Sequence, residues 1–101
     1  MVTKYSLYWT PEAKRDLKPI YEYILRIESR ERALYVIAGI RAKAKEILNF
    51  PTKHAHEPNI NRDNVRFAVI WSYKIVFEIK KNRVRILSVF HTAQSPNKIS
   101  M

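Results

Sequence analysis

The sequence contains no cysteine and a single glycine, Gly39, among its 101 residues. The lack of cysteine excludes a disulfide framework and a thiolate metal site, and it fits a cytoplasmic protein. One glycine is too few for a glycine-rich phosphate loop, which excludes the Walker A and dinucleotide-binding motifs. No apolar run approaches the roughly 20 residues of a membrane-spanning helix. The N-terminal residues also lack the apolar block of a signal peptide. We therefore expect a cytoplasmic protein with no membrane partner.

Acidic residues are scarce as well. Nine Asp and Glu stand against 19 Lys and Arg, for a net charge of +10. Residues 10–50 carry nine basic and six acidic side chains, whereas residues 51–101 carry nine basic and three acidic ones. A charge of this size predicts attraction to a polyanion: nucleic acid, the ribosome or an acidic protein. The second half of the chain is the expected polyanion-facing side, and a soluble basic domain without such a partner is the alternative.

Apolar residues recur at helical spacing in two neighbouring segments. Thr10 is predicted to cap the first helix, with Pro11 at its first position. Pro19 conflicts with this pattern and is expected to kink or interrupt the first turns. Ser29 is a predicted cap for the second helix, and Pro51 follows its end. The two apolar stripes consist of Ala13, Leu17, Ile20, Ile24 and Ile27, and of Ala33, Ile37, Ile40, Ala44, Ile47 and Leu48.

The remaining segments have the composition and alternation of strands. Strands are predicted over residues 5–9, 65–71, 73–80 and 83–91, with a loop over 51–64. Lys81-Asn82 is the predicted turn between the last two strands, and Asn82 is a residue that tolerates the left-handed conformation. The order β-α-α-β-β-β predicts an α+β fold, in which a helical hairpin packs on one face of a mostly antiparallel sheet. We expect residues 1–101 to form a single domain, with residues 92–101 as a mobile tail.

Strand alternation divides the basic residues of the last three strands between the two faces of the predicted sheet. Arg66 and Lys74 alternate with apolar neighbours, and Arg85 shares its parity with His91. If these four side chains converge on the sheet face away from the helices, they form a basic groove with one imidazole. Alternating basic residues are equally typical of the solvent-exposed face of a half-buried sheet. A lone histidine at the end of a strand often has a structural role.

Such a groove would have the groups that metal-independent RNA cleavage needs. A base takes the proton of the ribose 2′-hydroxyl, cations hold the phosphate, and an acid protonates the leaving oxygen. Arg and Lys suit phosphate, and histidine titrates near neutral pH. His54 and His56 are two residues apart in the predicted loop, but a metal site would need a third ligand, and only Glu57 is near in sequence. We therefore expect no metal and no cofactor.

The ordered set of motifs resembles the RelE/ParE superfamily of bacterial toxins from type II toxin–antitoxin systems, which includes proteins described as plasmid stabilisation proteins. The resemblance covers nearly the whole chain. It is carried by segments 10–13, 16–17, 20–24, 48–51, 73–79, 84–91 and 94–98. It implies a growth-inhibiting toxin with this fold, neutralised by a cognate antitoxin that is expected to be acidic.

The superfamily contains ribosome-dependent mRNA endonucleases and non-enzymatic inhibitors of DNA gyrase. By resemblance to the cleaving members, Lys74, His91 and Arg66 are the candidate catalytic residues. The candidate RNA-binding residues are Arg62, Arg66, Lys74 and Arg85. Some cleaving members have a tyrosine where this chain has Thr92, and many members have an arginine where it has Ala93. These departures weaken the transfer of nuclease activity.

Three hypotheses follow from the sequence. The first is an endoribonuclease that cuts mRNA on the ribosome. The second is a gyrase-directed toxin that binds its target through exposed surface of the hairpin or the tail. The third is an inactive toxin-like fold or a small RNA-binding module.

Overall fold

The computed structural model describes residues 4–60, 62 and 64–93. Its elements follow the predicted order: β1 (Ser6–Trp9), α1 (Pro11–Ile27), α2 (Arg30–Ile47), a 3₁₀ turn (Pro51–Lys53), β2 (Val65–Ile70), β3 (Tyr73–Lys80) and β4 (Arg83–His91). From residue 94 on, the predicted mobile tail lies outside the described residues. The resemblance segment 94–98 lies there too.

Helix α1 begins as its sequence predicts. The Thr10 hydroxyl accepts a hydrogen bond from the Ala13 amide at 3.2 Å and donates one to the Ile86 carbonyl at 2.7 Å. The interruption expected at Pro19 is absent, because α1 is continuous from Pro11 to Ile27. Leu17 and Ile24, on either side of this proline, are buried in the core. Their packing offsets the missing backbone hydrogen bond.

The four strands form one sheet in the order β1-β4-β3-β2. Strands β2, β3 and β4 are antiparallel neighbours, and β1 pairs in parallel with β4. The two helices connect β1 to β2 and pack on one face of the sheet, which we call the covered face. The predicted α+β fold, with a mostly antiparallel sheet and a helical hairpin on one face, is confirmed.

The two faces of the sheet differ in what covers them. On the covered face, 15 buried residues of the helices and strands form the main core, with Phe77, Ile75 and Ile40 fully buried. On the other face, which we call the open face, a smaller cluster forms. Its buried members are Val65, Val76, Leu87 and Phe90, with Ile60 of the 51–64 loop and Phe67 packed against them.

Both short turns of the antiparallel strands place a non-glycine residue in the left-handed region. Lys81 has φ 57° and Trp71 has φ 52°. In the β3–β4 turn, Lys81 therefore takes up the left-handed conformation, which Asn82 would also tolerate. Strand β2 ends at Ile70, one residue earlier than expected, because Trp71 belongs to the turn.

The single glycine lies beneath this tryptophan. A Cβ atom on Gly39 would come within 2.2 Å of the Trp71 ring. Tyr35 packs beside the same ring, with 5.6 Å between ring centroids. Helix α2 therefore needs glycine at this position, at some cost in helix propensity, so that the indole can lie against it.

Candidate functional site

Strand β4 contains an irregularity that decides where its side chains point. Val76 pairs with Ser88, but the next residue, Phe77, pairs with Ile86, so Leu87 is an extra residue in β4. A bulge of this kind reverses the alternation of side chains along the strand. Arg85 lies opposite Glu78 on the open face, whereas His91 lies opposite Tyr73 on the covered face. The expectation that Arg85 and His91 share a face is therefore wrong.

Lys74 lies on the open face and is held by a carboxylate. Its Nζ lies 2.9 Å from Oε1 and 2.6 Å from Oε2 of Glu57. The Glu57 side chain is fully buried, and that of Lys74 is 16% exposed. The ammonium also lies 4.3 Å from the centre of the Phe67 ring. This pairing neutralises the cation and fixes the 51–64 loop to the sheet.

Arg66 has a different environment. It pairs with Phe77, so its side chain starts from the covered face. Its Nη1 donates to the carbonyl oxygens of His54 at 2.6 Å and Thr52 at 3.1 Å. The guanidinium thus satisfies backbone acceptors of the 51–64 loop, which is a structural use of the cation.

Arg62 and Arg85 meet at one carboxylate on the open face. Arg85 Nη1 donates to Glu78 Oε1 at 2.6 Å, and Arg62 donates to the other carboxylate oxygen. Burial opposes ionisation of Glu78, but the hydrogen bonds from Arg62 and Arg85 together outweigh it and lower the pKa of this carboxyl. Two cations therefore share one negative charge.

His91 ends β4 on the covered face and is exposed. Its ring lies edge-on to Tyr73, with 5.5 Å between centroids. Nδ1 accepts a hydrogen bond from the Ala93 amide at 3.1 Å, so the neutral ring carries its proton on Nε2. Burial raises the pKa of Tyr73, and nearby Tyr23 and Glu28 raise it further.

The structure does not bring the predicted residues to one place. Lys74 pairs with Phe90 on the open face, whereas His91 pairs with Tyr73 on the covered face. Lys74 and Arg85 are both on the open face, but Lys74 is paired with Glu57, and Arg85 shares Glu78 with Arg62. The expected basic groove of Arg66, Lys74, Arg85 and His91 on a single face is therefore not formed.

Sequence reasoning missed a groove of about 600 Å³ between α1 and the end of β4. Strand β1 pairs with β4 only as far as Ile86, and among the residues that the structure describes no strand pairs with this edge of β4 beyond that point. Asp16 of α1 covers part of this edge. Its Oδ2 accepts from the Val89 amide at 2.9 Å and the Ser88 hydroxyl at 3.2 Å. Burial raises the pKa of Asp16, although these two hydrogen bonds oppose the rise.

The groove is lined mainly by apolar and aromatic groups. Its walls include Ile20 and Tyr23 of α1, Tyr73 of β3, and Val89 and His91 of β4. Tyr23 is 51% exposed, and Ile27, one turn further along α1, is 53% exposed. The spacing of 20, 23 and 27 shows that the apolar stripe of α1 continues beyond the core. This continuation of the stripe is visible in the sequence, but only the structure shows that it leads to a groove at the bulged end of β4.

The loop histidines do not form a metal site. His54 packs edge-on against Phe77, and its ring lies 3.4 Å from the Pro51 carbonyl. Glu57, the nearby carboxylate, is already paired with Lys74. Within residues 4–60, 62 and 64–93, no group of three or more potential ligands could hold a metal ion. In the same part of the chain, no helix is long and apolar enough to cross a membrane.

Comparison with known proteins identifies the class of protein. The family model described as the ParE toxin of the type II toxin–antitoxin system parDE matches residues 7–96. The chain therefore belongs to the ParE toxin family, and the expected RelE/ParE superfamily is confirmed. The protein is a toxin of a type II toxin–antitoxin system. No curated protein matches the sequence.

Two solved structures have the same fold. One is the chromosomal ParDE toxin–antitoxin system from P. aeruginosa, with 25% identity and a TM-score of 0.76 over 88% of this chain and 97% of that chain. The other is the toxin–antitoxin complex RelBE2 from Mycobacterium tuberculosis, with 21% identity and a TM-score of 0.63 over 87% of this chain and 98% of that chain. The second likeness concerns the fold alone.

Proposed function

We propose that this toxin inhibits growth by binding a target protein, DNA gyrase, and not by cutting RNA. The ParE family match supports this choice, because the ParE-like branch of the superfamily is the gyrase-directed one. A cognate antitoxin would hold the toxin inactive in the cytoplasm, and an acidic one would complement the net charge of +10.

The separation of Lys74 from His91 is the observation that carries this proposal. Cleavage by a 2′-hydroxyl needs a proton acceptor and cations around one phosphate, within hydrogen-bond reach of the reacting atoms. Here the imidazole is on the covered face, and the ammonium is on the open face against a buried carboxylate. One phosphate cannot contact both without a rearrangement of the sheet and the loop.

The groove beside α1 supplies a surface for a protein partner. Tyr23 lines the apolar groove, Ile27 lies one turn further along α1, and both side chains are large and half-exposed. Tyrosine is among the residue types that dominate binding energy at protein interfaces. The open edge of β4 adds backbone groups that a partner segment can reach. Target and antitoxin would compete if both used this surface.

A DNA supercoiling assay with purified gyrase tests the proposal. The wild-type toxin should inhibit supercoiling, and Tyr23→Ala/Ile27→Ala should weaken inhibition by tenfold or more. Phe50→Ala is the matched control, because Phe50 is 68% exposed and does not line the groove. Full inhibition by the double variant would reject the groove, and no inhibition by the wild type would reject gyrase as the target.

Cell-free translation tests the endonuclease hypothesis separately. We expect ribosome-bound mRNA to stay intact when either the wild-type toxin or its His91→Ala variant is added. His91 is exposed, so its loss should leave the fold intact. New mRNA ends that appear with wild type and vanish with His91→Ala would establish cleavage and overturn the proposal.

A further inference from the structure

We propose that the open face carries a nucleic-acid-binding patch at the end of the sheet where β3 turns into β4. The patch is defined by Tyr8 of β1, Lys80 of β3, and Arg83 and Arg85 of β4. It is separate from the α1 groove, so this inference does not depend on gyrase as the target.

The register of the sheet brings these cations together. Lys80 lies directly opposite Arg83, and Arg85 lies opposite Glu78. Residues directly opposite each other in adjacent strands share a face. Arg83 and Arg85 are two apart in one strand, about 7 Å by strand geometry. The three cations therefore form a compact group on one flat surface.

The pairing of Lys80 with Arg83 is unfavourable for the fold. Like charges directly opposite in antiparallel strands destabilise the sheet. Both side chains are exposed, and among the described residues neither has a carboxylate within salt-bridge distance. Glu78, the carboxylate nearest in register, already receives Arg62 and Arg85. A pair of residues that lowers the stability of the fold and has no compensating contact is typical of a binding site.

The parallel strand β1 adds an aromatic ring to the patch. Tyr8 pairs with Arg85 in register, and the Arg83 guanidinium lies 5.6 Å from the centre of the Tyr8 ring. The ring holds the guanidinium while its donors remain available, and guanidinium groups bind phosphate through two parallel hydrogen bonds. Tyr8 is 41% exposed, which leaves part of the ring for stacking on a base.

The composition of the patch favours nucleic acid over an acidic protein. A protein interface needs an apolar centre from which water is excluded. Of the large apolar side chains that are exposed, Tyr8 is the one that belongs to this patch. A cation group with a single aromatic ring matches the phosphate backbone of DNA or RNA, bound without sequence preference.

Fluorescence anisotropy with labelled 20-nucleotide probes tests the proposal without gyrase. The probes are duplex DNA, single-stranded DNA and single-stranded RNA, each titrated with toxin between about 50 and 200 mM salt. We expect Lys80→Gln/Arg83→Gln to weaken binding about tenfold or more and to lower the salt slope by about two. The probe with the highest affinity distinguishes DNA from RNA.

A matched control removes the same charge from α1. Lys14→Gln/Lys18→Gln neutralises two exposed lysines outside the patch and should change binding little. Equal losses in both double variants would overturn the proposal, because binding would then follow net charge alone. Displacement of the probes by polyglutamate as effective as by unlabelled DNA would also overturn it, in favour of an acidic protein partner.

The variant Lys80→Glu separates binding from folding. It places a carboxylate opposite Arg83, so it should raise the melting temperature while it weakens probe binding. A structural role for Lys80 predicts the reverse change in stability. Unchanged binding by a folded Lys80→Glu protein would reject the patch.

Discussion

The two faces of the sheet show two ways in which the same strands are stabilised. The covered face is closed by two helices and consists almost wholly of apolar side chains around Phe77 and Ile75. The open face has a small apolar cluster under the 51–64 loop and ion pairs around Glu57 and Glu78. The first depends on burial and the second on charge, so mutations and pH should affect them differently.

The largest effect is expected at the centre of the covered face. Phe77→Ala should lower the free energy of unfolding by about 3–5 kcal/mol, because it removes a fully buried ring and leaves a cavity. Phe67→Ala on the open face should cost less, since that ring is only partly buried. Denaturant unfolding of both variants measures the difference, and a larger loss for Phe67→Ala would contradict this view of the two faces.

The second effect concerns the ion pair of the open face. Glu57→Gln should cost about 2–4 kcal/mol, because it leaves the mostly buried Lys74 ammonium without its counter-ion. Replacement of both partners, Glu57→Met/Lys74→Met, should recover most of this loss. Glu46→Gln is the control, since its pair with Lys43 is exposed and should be nearly neutral. A double variant less stable than Glu57→Gln would show that the pair contributes more than mutual neutralisation.

A smaller effect is expected where α2 meets the β2–β3 turn. Gly39→Ala should cost about 1–3 kcal/mol, because the new methyl group collides with Trp71. Ala38→Gly, at the preceding exposed position, should cost up to about 1 kcal/mol through helix propensity alone. Trp71→Gly should relieve the collision, so the two mutations together should be less damaging than their sum. Strict additivity in thermal unfolding would mean that the indole does not lie on Gly39.

The smallest effects are opposite pH dependences of one carboxylate on each face. The pKa of Glu78 is lowered by its arginines, so its contribution to stability is present above its ordinary pKa of 4.5 and is lost as pH falls. The pKa of Asp16 is raised from 3.8 by burial. Its contribution is therefore complete below pH 3.8 and decreases as pH rises through the folded-state pKa.

Unfolding curves between pH 3 and 7 test these signs. Relative to wild type, Glu78→Gln should become more destabilised as pH rises. Asp16→Asn keeps an oxygen to accept from Val89 and Ser88, and it should gain stability relative to wild type over the same range. Parallel curves for the two variants would contradict the assigned directions.

Local sequence signals predicted the secondary structure closely. The alternation over 73–80 and 83–91 and the Thr10-Pro11 start of α1 correspond to observed elements. These features depend on neighbours along the chain, where side-chain period and capping chemistry act directly. Pro19 is an exception, because tertiary packing maintains α1 through the proline. The sequence also did not indicate that Lys81 would take the positive φ in the β3–β4 turn.

The candidate site could not be predicted in the same way. One bulged residue in β4 reverses the sheet face on which the later side chains of that strand lie. No residue type marks the bulge at Leu87, and it is held by the register with β3 and by Asp16 from α1. The partner of Lys74 likewise comes from a loop 17 residues away. The sequence by itself determined the elements, the net charge and the family. Only the tertiary structure decided which side chains share a face, because strand register and loop packing are long-range contacts that local patterns do not encode.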